Sequence, residues 1–256
     1  MDQRFQRTAR LLGPEAITRL SGCRVLLFGV GGVGGYALEA LARSGVGTLD
    51  IVDNDEVNLT NINRQILATE DTIGRPKVEV ARERVLSINP AILVNTYPVF
   101  YLPCLGDHVD FGAYDYVIDA IDTVSAKLDI ISRCHAAGTP VISAMGCGNR
   151  LDPSKLMVSD ISKTHTDPLS KVVRRELRKR GIPHLKVVWS TEAPIRPMEL
   201  PDTPAQSPAD GAPVRRSVPG STAFVPPAAG LLLASEVVRD LTQFDPALRT
   251  KGGKQD

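Results

Sequence analysis

The stretch that most limits what this chain can fold into is Arg24-Val25-Leu26-Leu27-Phe28-Gly29-Val30-Gly31-Gly32-Val33-Gly34. A short apolar run of this kind reads as a strand buried on both faces of a parallel sheet. It stops at Gly29, and a helical pattern (Tyr36, Ala37, Ala40, Leu41) follows. Strand, glycine turn and helix together aim backbone N–H groups, and the positive end of a helix dipole, at a phosphate. Glycine is required because a Cβ would collide with a ligand lying on the backbone. About nineteen residues after Gly34 a second apolar strand, Leu49 to Val52, ends in Asp53. A doubly wound fold places a carboxylate there against a ribose hydroxyl. The expected fold class is therefore α/β, a doubly wound Rossmann-like, mostly parallel sheet with a C-terminal extension. Gly29, Gly31 and Gly34 suit a nicotinamide dinucleotide as well as adenosine triphosphate, so the residues after Asp53 must decide.

Those residues are Asn54-Asp55-Glu56-Val57-Asn58-Leu59-Thr60-Asn61-Ile62-Asn63-Arg64-Gln65. The stretch is too polar for a core and sits at the carboxyl end of the second strand, where open α/β sheets bind ligands. Asn and Gln side chains both donate and accept, and Arg64 can grip a phosphate with two parallel bonds. Gly74-Arg75-Pro76-Lys77 opens a helix running to about Ile88. Lys77 is then a cation at a helix N-terminus, which runs against the dipole preference and points to a nearby anion. Leu93 to Tyr97 reads as a third strand, and Tyr114 to Asp122 as a fourth that ends in two carboxylates, Asp119 and Asp122. Such a carboxylate can take a ribose hydroxyl, hold Mg²⁺ that bridges phosphates, or merely cap the helix that follows.

Thr139 to Met145 reads as a fifth strand, with Cys147 exposed between Gly146 and Gly148 on the turn beyond it. No activating histidine is evident for that thiol. Leu156 to Ile161 is a sixth strand and Val187 to Glu192 a further one. Between them, Leu169 to Arg180 is an amphipathic helix with Lys171, Arg174, Arg175, Arg178 and Lys179 opposite its apolar face. With 30 basic and 29 acidic side chains the net charge is +1, so no global field selects a partner. Charge of one sign on one helix face is then either a solvated surface or a site for a phosphate backbone. Arg4, Arg7 and Arg10 share a face of an N-terminal arm, either solvated or reaching an anionic site on a partner subunit. The expected organisation is a nucleotide-binding domain with that arm (1–193) and a mobile Pro-rich crossover loop (194–227). A C-terminal helix packed on the same domain (228–244) and a disordered tail (245–256) complete it. The four cysteines form no CxxC pair, which argues against structural zinc and a disulfide framework. No apolar run reaches the roughly 20 residues of a membrane span, so the expected location is cytoplasmic and without membrane contact.

Jointly, Arg4-Phe5-Gln6-Arg7, the glycine turn, Asp53-Asn54-Asp55, Thr60 to Gln65, Gly74 to Lys77 and Asp119-Ala120-Ile121-Asp122 resemble the superfamily of ubiquitin-activating-like adenylating enzymes. The likeness covers about residues 4 to 192. Within it the chain looks most like the tRNA threonylcarbamoyladenosine dehydratase family, on Leu151-Asp152-Pro153, Asp160-Ile161, Lys163-Thr164, Asp167-Pro168-Leu169 and Ser190-Thr191-Glu192. The sulfur-carrier activators of the same superfamily typically carry paired CxxC zinc ligands, which are missing here.

The resemblance implies roles. Gly29, Gly31, Gly32 and Gly34 would cradle ATP, with Asp53 on the ribose and Asp55 also in the nucleotide site. Asn61, Arg64, Gln65 and Lys77 would meet the triphosphate, and Asp122 would hold Mg²⁺ with Asp119 alongside. Arg7 resembles an arginine supplied across a dimer interface, which implies a homodimer. The implied partner is tRNA bearing threonylcarbamoyladenosine, held by the basic helix, and sulfur-relay proteins are compatible further partners. The implied reaction is ATP-dependent dehydration of that nucleoside beside the anticodon, through an acyl-adenylate. Two other functions stay open on sequence: adenylation of the C-terminus of a sulfur-carrier or ubiquitin-like protein, and a nicotinamide-binding sensor without adenylating chemistry.

Overall fold

A computed structural model describes residues 2–198 and 219–244. After a 3₁₀ turn, α1 (Gln6–Leu12) and α2 (Pro14–Gly22) lead into β1 (Arg24–Phe28), α3 (Gly34–Ser44) and β2 (Thr48–Val52). A long polar loop then precedes α4 (Lys77–Ile88) and β3 (Leu93–Tyr97). The second half holds β4 (Tyr116–Asp119), α5 (Val124–Ala137), β5 (Val141–Ala144), β6 (Leu156–Asp160), α6 (Pro168–Lys179), β7 (Lys186–Ser190) and α7 (Val225–Thr242).

The seven strands form one sheet in the order β3-β2-β1-β4-β5-β7-β6. All pairings are parallel except β6 with β7. Phe28, the last residue of β1, is level with Val52 on one side and Asp119 on the other. The chain runs outward from β1 to β3 and then returns to the far side of β1, so the sheet's switch in direction lies between β1 and β4. A crevice opens at such a point beyond the carboxyl ends of the strands.

The alternation within β1 explains its apolar run. Val25 and Leu27 enter the core under α3 and α7, and Leu26 and Phe28 enter the opposite one with Val117, Tyr101 and Ile130. Full burial of each such side chain stabilises the fold by about 1.5–3 kcal/mol. Helix α7 lies so close to α3 that a Cβ on Gly230 would run into the Val33 carbonyl. A third cluster, with Leu128, Ile131, Val173, Leu177 and Trp189, fixes α6 to α5 and β7.

Among the boundaries that differ from expectation, two have a clear local cause. β4 ends at Asp119 rather than Asp122, because Asp119 Oδ1 accepts the Ile121 N–H (3.4 Å) and turns the chain out of the sheet. The last helix begins at Val225, three residues early, because Pro226 and Pro227 fit its first turn, where a missing N–H costs nothing. Residues 199–218 of the expected crossover loop, and the tail 245–256, lie outside the described residues. No helix among the described residues is long and apolar enough to cross a membrane.

Candidate nucleotide-binding and adenylation site

At the carboxyl end of β1 the Gly29 N–H donates to the Val52 carbonyl (2.8 Å). Gly29 has φ +86°, and a Cβ there would lie 2.8 Å from the Ala120 carbonyl oxygen. A Cβ on Gly34 would collide with the Gly29 carbonyl. These two glycines are demanded by the fold itself. Gly31 differs: a Cβ would meet only Gln65 Nε2, at 3.7 Å. The chain leaves room above Gly31, as a cradle for an external ligand must.

Asp53 braces the turn. One carboxylate oxygen accepts the Val30 N–H (2.8 Å) and the other the Asp55 N–H (2.9 Å). Burial raises the pKa of this carboxyl above the usual range, against the opposing pull of the Lys77 charge. Each oxygen keeps acceptor capacity for a sugar hydroxyl. Lys77 itself is only 5% exposed and donates to Asp55 Oδ2 at 2.7 Å. The anion that its helix-terminal position called for is therefore Asp55, already in the chain. The ammonium still has two N–H bonds to offer.

In the polar loop, Asn61 is buried and its Oδ1 accepts the Asn58 N–H (3.1 Å), closing a capping box. Its amide nitrogen is left to donate. Arg64 Nη1 donates to the Thr60 carbonyl (2.9 Å) and to Asn63 Oδ1 (2.8 Å). Burial lowers the pKa of this guanidinium, and the Asp122 charge opposes the shift. Arg64 and Asp122 are thus electrostatic neighbours. Gln65 is 6% exposed, and its Oε1 is buried without a hydrogen-bond partner among the described residues. The end of the carboxamide that faces the opening above Gly31 is the donor, Nε2, which suits an anionic ligand there.

Asp119 and Asp122 separate. Asp119, expected beside the metal, is enclosed: Oδ2 accepts from Lys127 Nζ (2.7 Å) and Ser143 Oγ (2.6 Å), and both charged side chains are 0% exposed. Its lone pairs are used within the core, so it ties β4 to α5 and β5 instead of facing the crevice. Asp122 is exposed in the loop before α5 and has no hydrogen bond among the described residues. No group of three or more His, Cys, Asp or Glu side chains that could hold a metal occurs among the described residues. A single carboxylate that shares an ion with substrate phosphates is a normal arrangement for Mg²⁺.

Cys147 is also corrected. It is 8% exposed rather than open, and burial pushes its thiol up to about 12. The turn around it is closed by Arg150, which pairs with Asp167 (3.1 Å) and donates to the Glu192 carbonyl (3.1 Å). The Glu192 carboxylate accepts the N–H groups of Leu151 and Asp152. The structural roles of Arg150, Asp167 and Glu192 were not read from sequence; the buried pair joins segments that only the fold brings together.

On α6, Lys171, Arg175, Arg178 and Lys179 are exposed. Arg174 turns back instead and donates to the Thr164 carbonyl (2.8 Å), and Glu176 accepts from Arg175 (3.1 Å) and Lys179 (2.9 Å). The face is less uniformly positive than its sequence implies. The Arg7 side chain is exposed on α1 and has no hydrogen bond or ion pair among the described residues. The structure therefore does not join Arg7 to the crevice of its own chain.

Comparison with known proteins agrees with this geometry. The model of the ThiF family matches residues 5–252. A tRNA threonylcarbamoyladenosine dehydratase of Bacillus subtilis is 43% identical over 255 residues, covering 98% of this chain and 99% of its own length. The dehydratase of the same name from Escherichia coli K12 is 39% identical over 204 residues, 76% of each chain. A crystal structure of the E. coli enzyme in complex with ATP superposes with a TM-score of 0.83 at 33% identity, covering 97% of this chain and 96% of the other.

Proposed function

We propose a function on one premise: the chain belongs to the ThiF family. Within it the chain is an ATP-dependent tRNA threonylcarbamoyladenosine dehydratase, acting on the modified adenosine beside the anticodon. The observation that carries the adenylation chemistry is the meeting of an open glycine cradle with the Gln65 amide nitrogen and the cation Arg64. The end-to-end likeness to the Bacillus dehydratase supports the choice of substrate.

The chain's residues act as follows. Backbone N–H groups of the glycine turn hold phosphate, and Asp53 accepts a ribose hydroxyl. The Asn61 amide nitrogen and Gln65 contact the triphosphate. Arg64 and Lys77 offset the charge that develops as the threonyl carboxylate attacks the α-phosphorus and pyrophosphate departs. The product is an acyl-adenylate. A nucleophile within the same modified side chain then attacks the activated carbonyl carbon, and AMP leaves with one former carboxylate oxygen. Ring closure therefore needs no enzyme thiol, in keeping with the buried Cys147. Magnesium fits at the exposed Asp122 carboxylate, where it would screen phosphate charge.

The exposed cations Lys171, Arg175, Arg178 and Lys179 would hold tRNA phosphates. Arg7, exposed and without an internal partner, would serve the site of a second copy in a homodimer. A tRNA substrate accords with a cytoplasmic place of action. Adenylation of a carrier-protein terminus is the competing reading, and no observation favours it.

Nucleoside mass spectrometry tests the proposal. Purified protein, ATP, Mg²⁺ and tRNA carrying threonylcarbamoyladenosine are expected to yield a nucleoside lighter by one water, with AMP and pyrophosphate. ATP consumption that required a sulfur-carrier protein and left the tRNA unchanged would replace this reading with its competitor.

A further inference from the structure

Asn149 lies on the turn after β5 and has a left-handed backbone, φ 59°. Asparagine adopts that conformation more readily than most residues. Three hydrogen bonds use it. Its carbonyl accepts the Ile195 N–H (2.7 Å), its own N–H donates to the Gly220 carbonyl (2.7 Å), and its Oδ1 accepts the Gly220 N–H (2.6 Å). The chain therefore leaves β7 and comes back towards α7 past one asparagine.

The returning segment then reaches the nucleotide loop. The Ser221 carbonyl accepts from Asn63 Nδ2 (2.9 Å), and the other end of the same carboxamide, Oδ1, accepts from Arg64 Nη1 (2.8 Å). Asn63 thus has its donor end on the returning segment and its acceptor end on the arginine. Rotation of the amide by half a turn would break both bonds, so the position of Ser221 fixes which end faces Arg64. Thr222, the next residue, has a buried hydroxyl oxygen with no partner among the described residues. Further on, Pro226 comes within 3.3 Å of where a Gly32 Cβ would stand. The segment from Gly220 to Pro226 accordingly runs from the β5 turn, past the arginine, to the glycine cradle.

We propose that Asn149 is a positioning residue for adenylyl transfer, and that it sets the aim of Arg64 through Gly220, Ser221 and Asn63. The inference rests on the reading of Arg64 as the group that offsets charge on the departing diphosphate. Misplacement of such a group by a fraction of an ångström slows chemistry far more than it weakens ground-state binding. A residue that does not touch the nucleotide then shows itself in kcat.

The test is a double-mutant cycle on pyrophosphate release, with tRNA carrying threonylcarbamoyladenosine and saturating ATP. Asn149→Gly removes only the carboxamide acceptor; glycine keeps the left-handed backbone without strain, and both main-chain bonds survive. It is expected to lower kcat about tenfold with KM for ATP changed less than about twofold. Asn149→Asp keeps an acceptor for the Gly220 N–H and is expected to stay within about twofold of wild type. Asn63→Ala is expected to lower kcat at least as far as Asn149→Gly. The double variant should be no slower than Asn63→Ala alone, within about twofold, because the two act on one chain of contacts. Multiplying effects, an Asn149→Gly variant as fast as wild type, or one that fails to bind ATP, would overturn the inference. Wild-type protein that releases no pyrophosphate with this tRNA would instead overturn the proposed function, so the two failures are told apart by the control.

Discussion

Lys127→Met probes the scaffold behind the site. Lys127 and Asp119 are both 0% exposed, with Nζ 2.7 Å from the carboxylate. The ammonium also donates to Ser143 Oγ and the Ala144 carbonyl, each at 3.0 Å. Methionine fills the same volume but leaves the Asp119 charge in the core without its partner. Removing one member of a buried pair typically costs about 3–5 kcal/mol. In a chain of this size each kcal/mol lowers the melting temperature by about 2–4 °C, so a fall of about 6–20 °C is expected. The assay is urea and thermal unfolding followed by circular dichroism. The double variant Lys127→Met/Asp119→Asn is expected to recover at least half of the loss. Asparagine is neutral; its Oδ1 still accepts the Ile121 N–H, and its Nδ2, in the place of Oδ2, can donate to the Ser143 hydroxyl oxygen. ATP affinity of either variant, measured well below its melting point, should change little, because Asp119 serves the sheet and not the nucleotide. A loss of stability below about 1 kcal/mol would refute the enclosed pair, since that is the range of exposed ones. Abolished ATP binding with stability intact would return Asp119 to the site.

Burial raises the Asp53 pKa, while ribose hydroxyls donate to its charged form. Nucleotide affinity should therefore be full above the pKa of the free protein and decline as pH falls through it, at higher pH than an ordinary carboxylate would give; calorimetric titration across pH 4.5–8 checks this, and Asp53→Asn should flatten the profile. Charge reversal at Lys171, Arg175, Arg178 and Lys179 should weaken tRNA binding and reduce its salt dependence, whereas Arg174→Gln should chiefly lower stability, because it loses its bond to Thr164. Filter binding at several salt concentrations, with thermal melts, distinguishes the two. The Cys147 thiol, pushed up to about 12 and buried, should resist iodoacetamide in folded protein at pH 8, while the exposed Cys104 reacts; peptide mapping by mass spectrometry reads both.

Much of the fold was legible because its signals are local. The apolar run of β1, the glycines after it and Asp53 at the end of β2 each declare themselves within a few residues, and the structure sets them side by side. What sequence misread depends on partners far along the chain or on another element. Asp119 looked like Asp122's companion, yet its partner Lys127 lies in the first turn of α5, beyond a loop, and Ser143 lies on β5. Cys147 looked exposed between two glycines, but the Arg150–Asp167 pair and the approach of Pro219 to Gly148 close the turn. Arg174 shares the polar face of α6 with its neighbours, and only the placement of Thr164 draws it inward. The bonds of Asn149 and Asn63 to Gly220 and Ser221 leave no trace in any periodicity, because they join loops.

Oxygen-isotope tracing tests the central claim most directly. tRNA with ¹⁸O in the threonyl carboxylate is incubated with ATP, Mg²⁺ and enzyme, and the nucleotide products are weighed by mass spectrometry. Attack on the α-phosphorus predicts one labelled oxygen in AMP and unlabelled pyrophosphate. Label recovered in inorganic phosphate, with ADP as the other product, would show transfer of the terminal phosphoryl group and contradict adenylation.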